Sequence, residues 1–380
     1  MVRAAVSRET PFSPRLGGGV EMEGSDLEGA LQELLSDLGP QRHEVAGVGV
    51  AGMAESGLPI AEGHPLGPVI AWFDGRGEDT VARMAGELGP DLALRIGQRV
   101  RTVSSVAKLG WLLADGMPLP QRWLGVPETC LFLLTGAEAT EHSLAARTGA
   151  YDVATRSWIP EVTDLLGIAP DVFPAVATAG VAMGEVSEDG ARRYGLPAGV
   201  PVTIAGHDHL AAAEGLGAAE DDILNSVGTA ETVLRRTAAL PDVERALELG
   251  LAVTVRPGGR GWVVLASARR SGQVLDGLVA ELGATPDELD REAAGVIDGS
   301  GSTPAGAAWA EALRDLAERA AGAVTRMSEL TGPASRLVVY GGGSRSRPWL
   351  ALKARALGPL PVFRVVTPDA VARGAALAGG

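Results

Sequence analysis

Cysteine is almost missing from this chain: Cys130 is the only one in 380 residues. A single thiol excludes intramolecular disulfides and any metal centre built on several cysteines. Long apolar runs are missing too. No stretch approaches the roughly 18 residues that mark a membrane-spanning helix. The opening MVRAAVSRET has no signal-peptide core, so a cytoplasmic location is expected. Positive charge is scarce. The 33 Lys and Arg against 47 Asp and Glu leave a net charge of -14, which argues against nucleic acid or an anionic membrane as the main partner. Nucleotide binding stays open, because it relies on backbone N–H groups and helix N-termini rather than net charge. No short-period repeat occurs, which argues against a solenoid.

What is present is globular: 46% hydrophobic and 21% charged residues, in a chain long enough for two domains. Strand, turn and helix alternate throughout, the pattern of an α/β fold with helices covering sheets. Strands are expected at Arg3–Glu9, Val45–Val50, Val69–Trp72, Val200–Ile204, Ile223–Val227, Leu251–Val255, Trp262–Ser267, Leu337–Tyr340 and Val362–Val366. Thr10–Glu23 reads as a Pro/Gly-rich loop. Helices are expected at Asp26–Leu38, Glu78–Leu88, Ser105–Ala114, Trp158–Leu166, Asp189–Tyr194, Leu210–Leu216, Gly272–Leu282, Ala305–Thr331, Trp349–Leu357 and Ala370–Ala378. The domain boundary is expected between Gly215 and Asp222.

Two strand-to-turn junctions stand out. The run Val200–Ile204 meets Gly206, with Asp208 just beyond; Ile223–Val227 ends in Gly228-Thr229. Open α/β sheets bind ligands at such carboxyl ends. Asp208 flanked by His207 and His209 fits a general base. It equally fits a cap on the following helix, and His-Asp-His fits, more distantly, a metal site. Gly228-Thr229 suits a phosphate held by backbone N–H and hydroxyl, although many strands turn at Gly-Thr for steric reasons. Gly341-Gly342-Gly343-Ser344 lets backbone approach a flat or anionic ligand, or simply makes a tight turn. It is neither GxxxxGK[ST] nor GxGxxG. Ala370–Ala378 has the small residues for close packing beside that loop.

Trp72, Asp74 and Arg76 combine a ring, a carboxylate and a guanidinium after a strand, as sugar and polyol sites do; a core Trp with a surface ion pair is the plainer reading. Lys108 and Trp111 on one helix are expected either to join that wall or to pack half-exposed. Glu141 and Arg147 are expected to pair with each other in a loop.

In this order the pieces resemble the FGGY family of carbohydrate kinases, such as xylulokinase and glycerol kinase. The carriers are W-x-D-x-R at Trp72–Arg76, K-L-x-W-L at Lys108–Leu112, LTG at Leu134–Gly136 with Ser143–Thr148, G-x-D at Gly206–Asp208, S-x-G-T at Ser226–Thr229, GGG-x-x-S at Gly341–Ser346 and A-x-x-x-GAA at Ala370–Ala376. The resemblance implies two ribonuclease-H-like, actin/hexokinase-like ATPase domains with a cleft between them. Residues 1–218 would be the sugar-binding domain and 219–380 the nucleotide-binding domain. It implies ATP and Mg2+, Asp208 as the catalytic base, and substrate contacts from Trp72, Asp74, Arg76, Lys108 and His207. Gly228, Thr229, Gly342, Gly343 and Ser346 would hold the nucleotide. A homodimer is common in such families.

Two departures bear on this. The family's opening D-x-G-T-x-x-x-K strand is absent, so the chain reads as starting near the family's third strand, with the first domain truncated. A mis-called start codon would explain that, as would a native truncation that binds sugar or nucleotide without turnover. An in-frame D-x-G-T upstream of Met1 separates the two. The segment between the Gly272 and Ala305 helices is also short, with a Gly/Ser linker at Asp298–Pro304.

Overall fold

A computed structural model describes every residue except Met1, Leu16, Gly17, Thr229, Arg269, Arg270, Ser302 and Pro368. The chain forms two units, and the division is discontinuous. The first holds Met1–Gly215, Thr254–Arg260 and Val371–Gly380; the second holds Leu216–Val253 and Gly261–Ala370.

The second unit is built on a sheet in the order Trp262–Ala268, Glu231–Thr237, Asp222–Val227, Arg336–Tyr340, Val362–Arg364; the strand Ala252–Val255, whose first two residues belong to this unit, lies beside Trp262–Ala268. The Trp262, Glu231 and Asp222 strands run antiparallel, whereas Asp222, Arg336 and Val362 run parallel. This is the order of a ribonuclease-H-like sheet. The 28-residue helix Pro304–Thr331 buries Trp309, Leu313, Leu316, Val324 and Met327 against Ile223, Val264, Leu337 and Val339 of the sheet. With the buried Ala320 between Leu316 and Val324, those positions recur every three or four residues, the stripe that a helix must turn to a core.

In the first unit the Pro201–His207 strand lies parallel to Val48–Gly52 and antiparallel to Gly184–Glu185. Val48–Gly52 stands at the edge of that sheet. The helix Val126–Thr135 covers it, with Leu131 and Leu134 packed on Val202 and Ile204. Among the described residues no helix is long and apolar enough to cross a membrane.

Several expectations are corrected. Arg3–Glu9 forms no strand, and the supposed loop Thr10–Glu23 contains two, Ser13–Pro14 and Val20–Met22. The Val200–Ile204 strand does not stop at Gly206. It runs on to His207 through a bulge between Ile204 and Gly206, which Gly206 permits at φ 114°. Two helices, Gly89–Ile96 and Pro286–Asp298, and the strand Glu231–Thr237 were not foreseen.

The closing helix, Ala370–Gly379, forms as expected. Its small residues pack in the first unit. A Cβ at Gly374 would lie 1.8 Å from the Ala211 carbonyl oxygen, and one at Gly49 would lie 1.8 Å from that of Ala375. Backbone therefore meets backbone beneath the helix Asp208–Leu216, with Ala205, Ala211 and Ala375 filling the seam. Gly374→Ala is expected to cost about 1–3 kcal/mol by overpacking. Gly277→Ala, with nothing within 4 Å of its Cβ position in an exposed helix turn, should add about 0.5–1 kcal/mol. Chemical denaturation of both variants tests the opposite signs; equal midpoints would refute the packing argument.

Candidate functional site

In the first unit, Asp208 sits where the Pro201–His207 strand passes into the helix Asp208–Leu216. A carboxylate at a helix N-terminus is favoured by the aligned peptide dipoles. Its Oδ1 accepts the N–H of His209 at 2.5 Å. That donor is one residue on, whereas a capping side chain takes an N–H two or three residues on. His207 Nδ1 lies 3.5 Å from Asp208 Oδ1, and the two imidazole centroids are 5.4 Å apart. The Asp208 side chain keeps 36% of its surface open. Burial pushes its pKa up, but His209, His207, the His209 amide and Arg147 outweigh that and hold it below the usual carboxylate value. Burial also lowers the His207 pKa, against the pull of Asp208 and Glu55, so the ring is neutral at pH 7. The pair is thus an ionised acceptor beside a neutral imidazole. Among the described residues no group of three or more His, Cys, Asp or Glu could hold a metal ion.

Neighbouring elements supply what the sequence reading missed. Glu141 does not pair with Arg147. Arg147 grips Glu55, with Nε at 2.9 Å and a second guanidinium nitrogen at 2.7 Å, and donates to Gln98 Oε1 at 2.7 Å. Glu55 is buried in the loop after Val48–Gly52, the strand beside that of Asp208. Glu141 is fully buried and accepts from Ser143 N, Ser143 Oγ and Gly258 N. Burial pushes its pKa up to about 7, against the hydrogen bonds from Ser143 and Gly258. The signal for Glu55 was a carboxylate in a glycine-bounded loop at a strand end, and its partner lies 92 residues away.

The W-x-D-x-R and K-L-x-W-L segments meet in space. Arg76 stacks 4.5 Å above the Trp111 ring, and the buried Lys108 ammonium donates to the Asp74 carbonyl. The Asp74 carboxylate is taken up internally: Val20 N at 2.7 Å, Arg76 N at 2.8 Å, and the Arg76 guanidinium at 2.8–3.1 Å. Those donors outweigh burial and lower its pKa. Glu21 takes a further Arg76 nitrogen at 2.8 Å. Trp72 meets Phe73 edge-on at 5.4 Å, and Phe73 is 47% exposed. Asp74 and Lys108 therefore orient Arg76 and its backbone, while the rings and the guanidinium reach the surface.

In the second unit, Gly228 follows the Asp222–Val227 strand, and Thr229 lies outside the described residues. The glycines of the other loop divide into two kinds. A Cβ at Gly341 or Gly343 would strike Val227 at 2.6 Å, so packing requires glycine there. At Gly342 and Gly228 the nearest atoms would be 3.8 and 3.9 Å away, and neither needs a positive φ. Their missing side chains leave open surface where a ligand can meet backbone. Ser346 caps the helix Arg347–Leu357 through Trp349 N and donates to Asp290 Oδ1 at 2.9 Å. The same Asp290 oxygen accepts from Trp309 Nε1 at 2.8 Å.

Residues 25–215 match the N-terminal domain of the FGGY family of carbohydrate kinases, and residues 288–380 match its C-terminal domain. L-fuculokinase of Salmonella typhi is 31% identical over 187 residues, 48% of this chain and 40% of that enzyme. Xylulose kinase of Streptomyces rubiginosus is 30% identical over 302 residues, 77% of this chain and 60% of that enzyme. The chain thus spans less than two thirds of either relative. The crystal structure of xylulose kinase from Rhodospirillum rubrum superposes with TM-score 0.85 at 24% identity, covering 100% of this chain and 85% of that one. The two-domain actin/hexokinase-like ATPase fold follows from that likeness.

Proposed function

The chain belongs to the FGGY family of carbohydrate kinases, and on that premise we propose that it transfers the γ-phosphoryl group of ATP to a hydroxyl of a small sugar or polyol. One observation carries the reading: Asp208 follows a buried strand, at the start of a helix, as an open carboxylate whose pKa is held down, so it is ionised at neutral pH. Its role is to accept the hydroxyl proton as the oxygen attacks phosphorus, the part a carboxylate plays in kinase-type transfer. Neutral His207, beside it, orients the same hydroxyl. Trp72 and Arg76, backed by Trp111, grip the rest of the substrate, with Asp74 and Lys108 fixing their placement. That the relatives act on fuculose and xylulose, by their names, supports a small polyhydroxylated substrate.

Gly228 and Gly342 are the backbone surfaces offered to the nucleotide, with Thr229, Gly343 and Ser346 beside them in sequence. The fit is that of glycines which neither φ nor packing explains. Mg2+, bound with the nucleotide, would supply charge neutralisation on the phosphates. The test is ADP release from Mg-ATP over a panel of pentoses, ketoses, polyols and aldonates. Sugar-dependent release is the expected result. Sugar binding without release would make the chain a binding protein on a kinase fold.

A further inference from the structure

We propose that Glu141, acting through Ser143, is the positioning residue that fixes the Asp208-bearing strand end by clamping the amide of His207. The proposal rests on the kinase reading above and adds to it a device that determines where the base stands.

The clamp is a chain of hydrogen bonds with one direction. The N–H of His207 donates to Ser143 Oγ at 2.9 Å. Ser143 can accept there only while its own hydroxyl proton points elsewhere, and it points to Glu141 Oε2 at 2.5 Å. The same oxygen takes Ser143 N at 2.7 Å, and Oε1 takes Gly258 N at 2.7 Å. Glu141 and Ser143 are both fully buried, so neither touches a substrate. The amide they hold belongs to the residue before Asp208, on the far side of the Ile204–Gly206 bulge. The ladder with Val48–Gly52 resumes past the bulge at Gly206 and His207, so the bulge re-aims the strand end, and the clamp holds the His207 amide in that direction.

Gly206 shows how tightly the clamp fits. A Cβ there would lie 2.5 Å from Ser143 Oγ and 3.0 Å from Glu141 Oε2. The clamp occupies the space that glycine leaves.

Donor counting explains why residue 141 is an acid. All three described partners are donors, two to one oxygen and one to the other; only the ionised carboxylate is acceptor-only at both, and burial pushes the Glu141 pKa up to about 7, so the clamp is complete above that pH. Glutamine has the same shape but offers one oxygen and one NH2. Turned either way, it opposes a donor to the Ser143 pair or to Gly258. Glu141→Gln therefore breaks one end of the clamp without making a cavity.

The experiment compares Glu141→Gln and Ser143→Ala, each in the parent and in an Asp208→Asn background, with sugar and ATP saturation curves. A displaced base loses about 10- to 100-fold in rate for a shift near 1 Å. We expect that loss in kcat, with KM for both substrates within about threefold of the parent. In Asp208→Asn the same substitutions should cost the residual kcat far less, because the base is gone and only His207 is left to misplace. A second readout is free of activity: amide hydrogen exchange resolved at His207 should speed up in Ser143→Ala. Unchanged kcat in folded Glu141→Gln overturns the proposal, as does an equal loss in the Asp208→Asn background. If Glu141→Gln fails to fold, Ser143→Ala decides by the same criteria. If the parent phosphorylates no sugar, the kinase reading fails separately. Exchange at His207 then judges the clamp alone, and unchanged protection in Ser143→Ala overturns it.

Discussion

Replacing Asp208 by asparagine will lower kcat by about 100-fold or more, the scale for losing a general base, and will leave ATP binding near that of the parent. The substitution keeps size and one oxygen, so His209 N–H keeps an acceptor. It removes the charge that accepts the proton. The pH dependence follows from the sign of the shift. The Asp208 pKa lies below the usual carboxylate value, so the working form is present at every pH above it and is lost only as pH falls through that depressed value. The parent should show no inflexion from this group between pH 5 and 9; an inflexion near 7 belongs to Glu141, and the asparagine variant, with no base left to position, should show less of it. Steady-state kinetics across that range with a saturating sugar checks both statements. Parental kcat in the variant would remove Asp208 from the base role.

How much of this could be read beforehand depended on the distance over which the cause acts. The long helix Pro304–Thr331 declared itself by its own apolar stripe, and so did the buried strand Asp222–Val227. The helix Pro286–Asp298 had a legible start, a Thr285–Glu288 capping box with Pro286 at its first position; the Gly/Ser linker after it drew the reading away. The strand Glu231–Thr237 was hidden by Arg235 and Arg236, which look like surface residues yet are buried. Their guanidinium groups reach the carbonyls of Gly332 and Pro333 and of Ala218, partners that no local pattern announces. Gly206 was misjudged for a related reason. Alone, a glycine after a β-branched run signals a stop; the parallel neighbour Val48–Gly52 carries the ladder past it. Among site residues, Asp208 was legible because its signal is local. Glu55–Arg147 and Glu141–Gly258 were not, since their contacts join residues 92 and 117 positions apart.

Lys353→Met is the substitution expected to cost most in stability, about 3–5 kcal/mol, the range for breaking a buried ion pair from one side. Lys353 and Glu231 are each 1% exposed at the side chain and are joined Nζ to Oε1. The ammonium also lies 4.8 Å from the centre of the Trp349 ring. Burial lowers the Lys353 pKa, and Glu231 counters it. Without the ammonium, Glu231 is a buried carboxylate with no counter-charge. Its second oxygen already has no hydrogen-bond partner among the described residues. Replacing both ends, Lys353→Met with Glu231→Gln, should recover much of the loss, because two neutral side chains leave no unpaired charge. Urea titrations of the two single variants and the double variant measure this as a cycle; additive losses would show that the pair does not act as a pair. The expected functional trace is in KM for ATP. Glu231 opens the strand immediately after the Gly228 turn, and Lys353 lies on the helix that begins past Gly341–Gly343, so the pair ties together the two backbone surfaces proposed for the nucleotide. Loosening that tie should raise KM for ATP while leaving KM for the sugar unchanged, the reverse of what a fault in the first unit would produce.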